Sequence, residues 1–110
     1  MRLFNLKLDY EGFEEDLVVA GNAFDGIQYI FRFDNNYGAS VVKFSGTYGY
    51  RSDLWELSVI GFDETGVYNI IFDTPITDDV IGHLTDGEVC WYLGRIRDLP
   101  KRLPLITDPR

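Results

Sequence analysis

Residues 45–53 (SGTYGYRSD) carry the side chains that are best suited to recognition chemistry. Tyr48, Tyr50 and Arg51 are large amphipathic residues that bury much surface with few rotatable bonds, which is typical of binding surfaces. The two glycines of the segment make it adaptable. A long hairpin loop whose tyrosines fold back onto the sheet edge is the alternative, and both interpretations stay open. Tyr37 is a further candidate for contact with a partner.

Acidic side chains form the second candidate site. Carboxylates in a cluster can bind Mg²⁺ or Ca²⁺, exchange protons as an acid/base pair, or imitate the phosphates of DNA. None of the spacings fits an EF-hand loop, and such residues also serve as helix-start residues or as a solvated face. We therefore favour charge mimicry over metal or acid/base chemistry. The set comprises Glu14, Glu15 and Asp16 near the N-terminus, and Asp73, Asp78, Asp79 and Asp86 farther along.

Cysteine and histidine are too few for the common metal centres. Cys90 is the only cysteine, which excludes an intramolecular disulfide and a Cys-based zinc site. His83 is the only histidine, and its apolar neighbours predict an ordinary, partly buried side chain. The chain contains no nucleophile elbow, P-loop or dinucleotide fingerprint. The sequence therefore predicts a protein that is not an enzyme and that needs no cofactor.

The charge of the chain limits the kinds of partner that it can bind. A net charge of −8 is repelled by phosphate backbones, which disfavours direct binding to nucleic acid or to an anionic membrane. A protein partner with a basic surface suits this charge better. No apolar run approaches the ~20 residues of a transmembrane helix, and residues 1–10 do not resemble a signal peptide. We therefore expect an intracellular protein.

Alternating apolar residues predict an antiparallel sheet through most of the chain. Residues 27–33, 39–44, 54–62 and 68–72 are rich in aromatic and β-branched side chains and are separated by turn sequences. This pattern predicts four consecutive strands in a meander. Residues 4–10 also alternate, which predicts a strand. Residues 13–20 are ambiguous between helix and strand, and we favour a strand that completes an N-terminal hairpin.

Helical spacing replaces this alternation after Asp73. Thr77 is predicted to be the N-cap of a short helix, with Asp78 and Asp79 in its first turn, where the helix dipole favours negative charge. Val80, Ile81 and Leu84 would bury that helix. A second helix is predicted from residues 85–88 (TDGE), which match a capping box.

The second predicted helix has an apolar face. Val89, Leu93 and Ile96 follow the capping box at helical spacing, and Pro100 is a natural stop. Gly94 lies inside this helix, where glycine costs about 1 kcal/mol relative to alanine, so we expect close packing there. The predicted fold class is α+β, with an antiparallel sheet packed by one or two C-terminal helices. Residues 1–99 are expected to form a single domain, and residues 100–110 a proline-rich extended tail.

Four segments of the sequence, taken together, carry a resemblance to other proteins: residues 27–31 (IQYIF), 33–42 (FDNNYGASVV), 54–57 (LWEL) and 74–82 (TPITDDVIG). They resemble a group of small uncharacterised proteins that are encoded by bacteriophages and prophages. The resemblance covers roughly residues 26–99. It implies a setting, the cytoplasm of an infected bacterium, and an accessory gene product. It implies no activity and no catalytic residue.

Three functions are compatible with this sequence. The leading hypothesis is a non-enzymatic phage protein that binds and inhibits a host protein, with defence nucleases as candidate targets, in the manner of anti-CRISPR or anti-restriction proteins. The loop with Tyr48, Tyr50 and Arg51 and the acidic faces would contact a basic surface of the target. A nucleotide-sequestering protein is the second hypothesis, in which Arg32, Lys43 or Arg51 would meet phosphates. A structural or assembly component of the virion is the third.

Overall fold

A computed structural model of the protein describes residues 4–77 and 79–102. Within these residues, six strands form one sheet and a single helix follows them. Two short 3-10 turns, Glu14–Asp16 and Tyr50–Ser52, precede the first and fourth strands. The elements are β1 (Leu17–Ala23), β2 (Gly26–Arg32), β3 (Tyr37–Lys43), β4 (Trp55–Phe62), β5 (Tyr68–Ile70), β6 (Ile81–Leu84) and α1 (Asp86–Arg97).

The sheet is an antiparallel meander with the strand order β1-β2-β3-β4-β5. The outer edge of β4 is shared, because β5 pairs with its end at residues 60–62 while β6 pairs with Trp55 and Leu57. This architecture confirms the predicted α+β class and the antiparallel sheet. Each of the four meander strands is present with bounds close to those predicted.

Helix α1 covers one face of the sheet. Val89, Leu93 and Ile96 are fully buried against a core that includes Phe31 and Trp55. The capping box is confirmed, because the Glu88 N–H donates to Thr85 Oγ1 over 3.2 Å and the Thr85 N–H donates to Glu88 Oε1 over 3.0 Å. At the other end of α1, the amide of Asn35 donates to the carbonyl oxygens of Ile96 and Leu99, each over 2.9 Å. The turn before β3 therefore fixes where the helix ends.

The prediction of an N-terminal hairpin was wrong. Residues 4–10 form no strand, and β1 begins only at Leu17 and pairs with β2. The backbone of the N-terminal segment is bonded to side chains instead: the N–H groups of Asn5, Leu8 and Asp9 donate to Asp53, Tyr29 and Asp86. Alternation arises in any extended segment that packs one side on a core, and here Leu8 is buried while its neighbours face solvent.

The prediction of a short helix after Thr77 was also wrong. Ile81–Leu84 is strand β6, and its Leu84 pairs with Trp55. Because β5 spans only three residues, β4 keeps unpaired backbone groups that β6 satisfies. Thr77 stabilises a local turn, its hydroxyl donating to the Asp79 carbonyl over 2.7 Å. His83 is exposed, with a left-handed φ of 60°, and not partly buried as predicted.

Gly94 does not mark a close contact, contrary to our expectation. A Cβ at this position would lie 3.9 Å from Cζ of Phe13, which is ordinary van der Waals distance. We therefore expect Gly94→Ala to raise the free energy of unfolding by about 1 kcal/mol, because alanine loses less backbone entropy in a helix. Urea denaturation followed by circular dichroism measures this change.

Gly38→Ala is the matched control for that substitution. A Cβ at Gly38 would overlap the carbonyl oxygen of Phe31 in the neighbouring strand, so the same added methyl should cost more than about 2 kcal/mol. A loss of stability in Gly94→Ala would contradict the described packing between α1 and Phe13.

Candidate functional site

The aromatic loop, residues 44–54 between β3 and β4, holds Tyr48 outward. The Tyr48 N–H donates to Oε1 of Glu56 over 3.0 Å, and its carbonyl accepts from the His83 N–H over 3.2 Å. These bonds fasten the loop to β4 and β6, while the side chain of Tyr48 remains 64 % exposed. A cleft of about 230 Å³ lies beside it, lined by Ser45, Thr47, Tyr48, Gly49, Tyr50, Arg51, Ser52 and His83.

The side chain of Tyr50 folds back toward the body of the protein, as the alternative interpretation of this loop predicted for its tyrosines. Its ring packs against the ring of Phe4, with centroids 4.5 Å apart, so it is turned toward the N-terminal segment. Arg51 follows it within the 3-10 turn and is exposed. Tyr48 and Arg51 of the loop are therefore exposed to solvent, whereas Tyr50 packs on Phe4 of the N-terminal segment.

Lys43, the last residue of β3, fixes the position of this loop through Asp53. Its side chain is 1 % exposed, and its ammonium donates to Asn5 O over 2.6 Å, Asp53 O over 3.0 Å and Asp53 Oδ1 over 2.9 Å. The ammonium also lies 4.1 Å from the ring centroid of Trp55. A buried charge requires such compensation, since each unsatisfied donor would be costly. The N-terminal segment and the aromatic loop are consequently joined through one cation.

An acidic cavity of about 390 Å³ lies between the N-terminal segment and the start of α1. Asp86 is its organising residue: Oδ1 accepts from Trp55 Nε1 over 2.7 Å, and Oδ2 accepts from the Asp9 N–H over 2.8 Å. Four carboxylates and one cation give the walls a negative balance. The lining residues are Asn5, Lys7, Leu8, Asp9, Tyr10, Glu11, Glu14 and Asp86.

The N-terminal segment connects the two clefts. Phe4 contacts Tyr50 of the aromatic loop, whereas Asn5, Lys7 and Leu8 line the acidic cavity. Asn5 takes part in both, because its N–H donates to Asp53 Oδ1 over 3.0 Å and its carbonyl accepts from Lys43. Residues 4–14 thus link the aromatic loop to the acidic cavity, and this surface is the candidate functional site.

Glu14, Glu15 and Asp16 lie together in the 3-10 turn before β1, but they differ in their surroundings. Only Glu14 lines the acidic cavity, where its carboxylate accepts from the Gly12 N–H, and this bond lowers the pKa of Glu14. Asp16 forms an ion pair with Arg97 at 3.6 Å, although burial, partly opposed by Arg97, raises its pKa. The predicted acidic set is therefore partly assembled, through Glu14 and Asp86.

The remaining predicted residues lie away from this surface. Tyr37 begins β3, at the opposite end of that seven-residue strand from the aromatic loop, and it packs against the core with the Arg102 guanidinium 5.4 Å from its ring centroid. Asp79 lies in the turn before β6, where its carboxylate accepts from the Val80 N–H over 2.7 Å. Asp78 lies outside the described residues. Neither Tyr37 nor Asp79 lines the acidic cavity or the cleft of the aromatic loop.

Asp9 and Glu11 are the residues of the site that sequence reasoning missed. They flank Tyr10, whose ring packs 5.7 Å from that of Phe31, and this contact directs the N-terminal segment across the core. Two acidic residues alternating with a buried aromatic residue are a signal for one acidic face. The neighbouring Asp86, however, is 77 positions from Asp9, and that proximity has no local signal.

Comparison with known proteins adds no assignment: no protein-family model, curated protein or solved structure gives a significant match to this chain. Across residues 4–77 and 79–102, no helix is long and apolar enough to cross a membrane. Within the same residues, no group of three or more histidine, cysteine, aspartate or glutamate side chains is arranged to hold a metal ion.

The pKa of Cys90 depends on the negative charges of the acidic cavity. Burial first, and then the negative charges of Asp9, Asp86, Glu11 and Glu14, raise the pKa of this thiol. Because the thiolate is the reactive form, Cys90 should be alkylated by iodoacetamide more slowly than a free thiol at the same pH. Glu11→Gln should lower the pKa of Cys90 toward its ordinary value and speed the reaction at fixed pH.

The control is Glu64→Gln, which removes the same charge in the exposed turn between β4 and β5. It should leave the rate of Cys90 alkylation unchanged. Higher ionic strength should act on the wild-type protein in the same direction as Glu11→Gln, since salt screens the carboxylates. Equal rates in the two variants would contradict the described cavity.

Proposed function

We propose that this protein is a non-enzymatic binding protein that captures a basic surface of a host bacterial protein and inhibits it by occlusion. The observation that carries the proposal is the N-terminal segment, which lines the acidic cavity and contacts the aromatic loop. A lysine or arginine side chain of the partner enters the acidic cavity, while Tyr48 and Arg51 bury surface beside it. This division between a charged pocket and an aromatic contact is typical of interfaces dominated by a few residues.

Charge supports the same assignment at longer range. The net charge of −8 steers a basic partner toward the protein and repels nucleic acid. A partner that binds nucleic acid offers such a basic surface, and covering it blocks the nucleic acid by both volume and charge. The bacteriophage setting rests on the sequence resemblance and makes a host defence nuclease a candidate target in the host cytoplasm.

Binding of a nucleotide signal ranks second because two of the three cations proposed for it, Lys43 and Arg32, have other contacts. Lys43 is buried and donates to Asn5 and Asp53. Arg32 lies on the other face of the sheet from the core, with its guanidinium 4.5 Å from the ring centroid of Phe62. The larger of the two clefts is lined by carboxylates, which repel phosphates.

The test is capture of a partner from bacterial lysate by the tagged protein, followed by native mass spectrometry of the eluate. We expect a stoichiometric protein partner that is released as salt is raised, because the contact is electrostatic. The double substitution Tyr48→Ala/Arg51→Ala should reduce capture by at least about tenfold. Tyr50 is left intact in this variant, since its ring holds Phe4.

Tyr68→Ala/Lys101→Ala is the matched control, because it removes an exposed tyrosine and a cation away from the site. Its capture should equal that of the wild type. Full capture by Tyr48→Ala/Arg51→Ala, or a complex that is indifferent to salt, would contradict the proposal. An eluate that carries only a small bound molecule of nucleotide mass would favour sequestration of a nucleotide.

A further inference from the structure

Strand β1 is an open edge of the sheet. It pairs with β2 on one side, and among the residues that the structure describes no strand pairs with its other side. A bulge at Val18 interrupts its start, but residues 19–23 pair with residues 26–30 in unbroken register. Five consecutive residues therefore offer the alternating outward N–H and carbonyl groups that can accept another strand.

This edge lacks the devices that usually prevent pairing. The sequence of β1, LVVAGNA, contains no charged residue and no proline, although charged residues make up 25 % of the whole chain. Val18, Val19, Ala20 and Asn22 are exposed, Val18 by 56 % and Val19 by 50 %. Natural edge strands commonly carry lysine or proline to block a further strand. Apart from its single bulge, β1 is left open to pairing.

An exposed aromatic residue stands at the end of this edge. Phe24 is 88 % exposed in the two-residue turn between β1 and β2, with a left-handed φ of 54° that bulky residues rarely adopt. Its ring packs 4.8 Å from that of Phe44, and the neighbouring Asp25 carboxylate accepts from the Ser45 N–H over 2.9 Å. The turn is thus fixed in a strained conformation that presents an aromatic side chain next to the open edge.

Acidic residues flank the edge at both ends. Glu14, Glu15 and Asp16 precede β1 and Asp25 follows it, and Asp16 pairs with Arg97. Antiparallel pairing with a second copy would bring the acidic turn of one copy against Asp25 of the other, between two chains of charge −8. Charge complementarity therefore selects a different occupant, whose centre is uncharged and whose ends are basic.

We infer that β1 is a docking edge for an extended segment of a partner protein that carries lysine or arginine at both ends. The segment adds a strand to the sheet, its basic ends lie near Glu14, Glu15 and Asp25, and Phe24 packs on one end. The inference rests on the proposed function in one respect, that the partner is basic, and it names the chemistry of the segment that is recognised.

The outward N–H groups of β1 follow from its hairpin. Ala23 and Gly26 close a two-residue turn and form a hydrogen-bonded pair, and such pairs recur at every second residue, at Gly21 and Val19. The N–H groups of Ala20 and Asn22 therefore point away from β2. Ala20→Pro deletes one of these donors and keeps the pairing with β2, since proline is tolerated at such edge positions.

The probe is the blocked peptide acetyl-KRVTVTVRK-amide, and the readout is amide hydrogen exchange followed by NMR. With the peptide at ten times its Kd, exchange at Ala20 and Asn22 should slow by about tenfold. Ala20→Pro should abolish peptide binding, whereas Ala20→Ser, which keeps the donor, should bind as the wild type does. The peptide acetyl-EDVTVTVDE-amide should bind at least about tenfold more weakly.

Unchanged exchange at Ala20 and Asn22, or equal affinity for the basic and acidic peptides, would overturn the inference. Protection of these amides that grows with protein concentration in the absence of peptide would also overturn it, because a second copy would then occupy the edge. Failure of the proposed function is seen separately: Tyr48→Ala/Arg51→Ala keeps β1 intact, so it should bind the peptide normally whether or not it still captures the lysate partner.

Discussion

The ammonium group of Lys43 is a full charge beneath the surface of a small domain, and the geometry of the candidate site depends on how that charge is compensated. Burying it without partners would cost several kcal/mol, so its acceptors cannot move away independently. Those acceptors belong to Asn5 and Asp53, which are 48 positions apart in the chain. One cation thereby fixes the N-terminal segment and the aromatic loop to the end of β3. The geometry of the candidate site is therefore set by the fold itself.

Two other polar side chains, Asp86 and Asn35, likewise join distant parts of the chain by hydrogen bonds, one at each end of α1. Asp86 links the start of the helix to Trp55 and Asp9, and the Asn35 amide bonds the carbonyl groups at its end. Among the described residues, no buried side-chain nitrogen or oxygen lacks a hydrogen-bond partner. The N-terminal segment is therefore held by side chains instead of by a strand ladder. Residues of the same segment line the acidic cavity.

The parts of the fold that were predictable are those with a local signal. The meander follows from alternation and turn residues, and α1 follows from the capping box between Thr85 and Glu88. The N-terminal segment was misread because extended backbone alternates whether it pairs with a strand or with side chains. β6 was misread because its pairing depends on the short length of β5, which leaves part of β4 free. In both cases the structure depends on residues elsewhere in the chain, and the sequence of the segment does not indicate it.

The candidate site also contains residues with a local sequence signal and residues that only the packing of the core brings together. Tyr48 and Arg51 were candidates because of their residue types and their place in a loop between two strands, whereas the packing of Tyr50 on Phe4 had no local signal. The acidic cavity was not, because it joins Asp9 and Glu11 to Asp86 through contacts with Tyr29, Phe31 and Trp55. The sequence contained the charges, and only the packing of the core brings them to one place. Lys43 lies in a strand of ordinary composition, and its neighbours there do not indicate its burial.

The most direct test of a preformed site is amide hydrogen exchange in Lys43→Met, which removes the charge and keeps an apolar side chain of similar length. A site preformed by Lys43 predicts faster exchange at Asn5, Asp53 and Leu54, whose N–H groups lie in the segment and loop that Lys43 joins, with no change in α1 at Val89. Unchanged exchange at these three amides would show that the loop and the N-terminal segment are held independently of Lys43, and would contradict it.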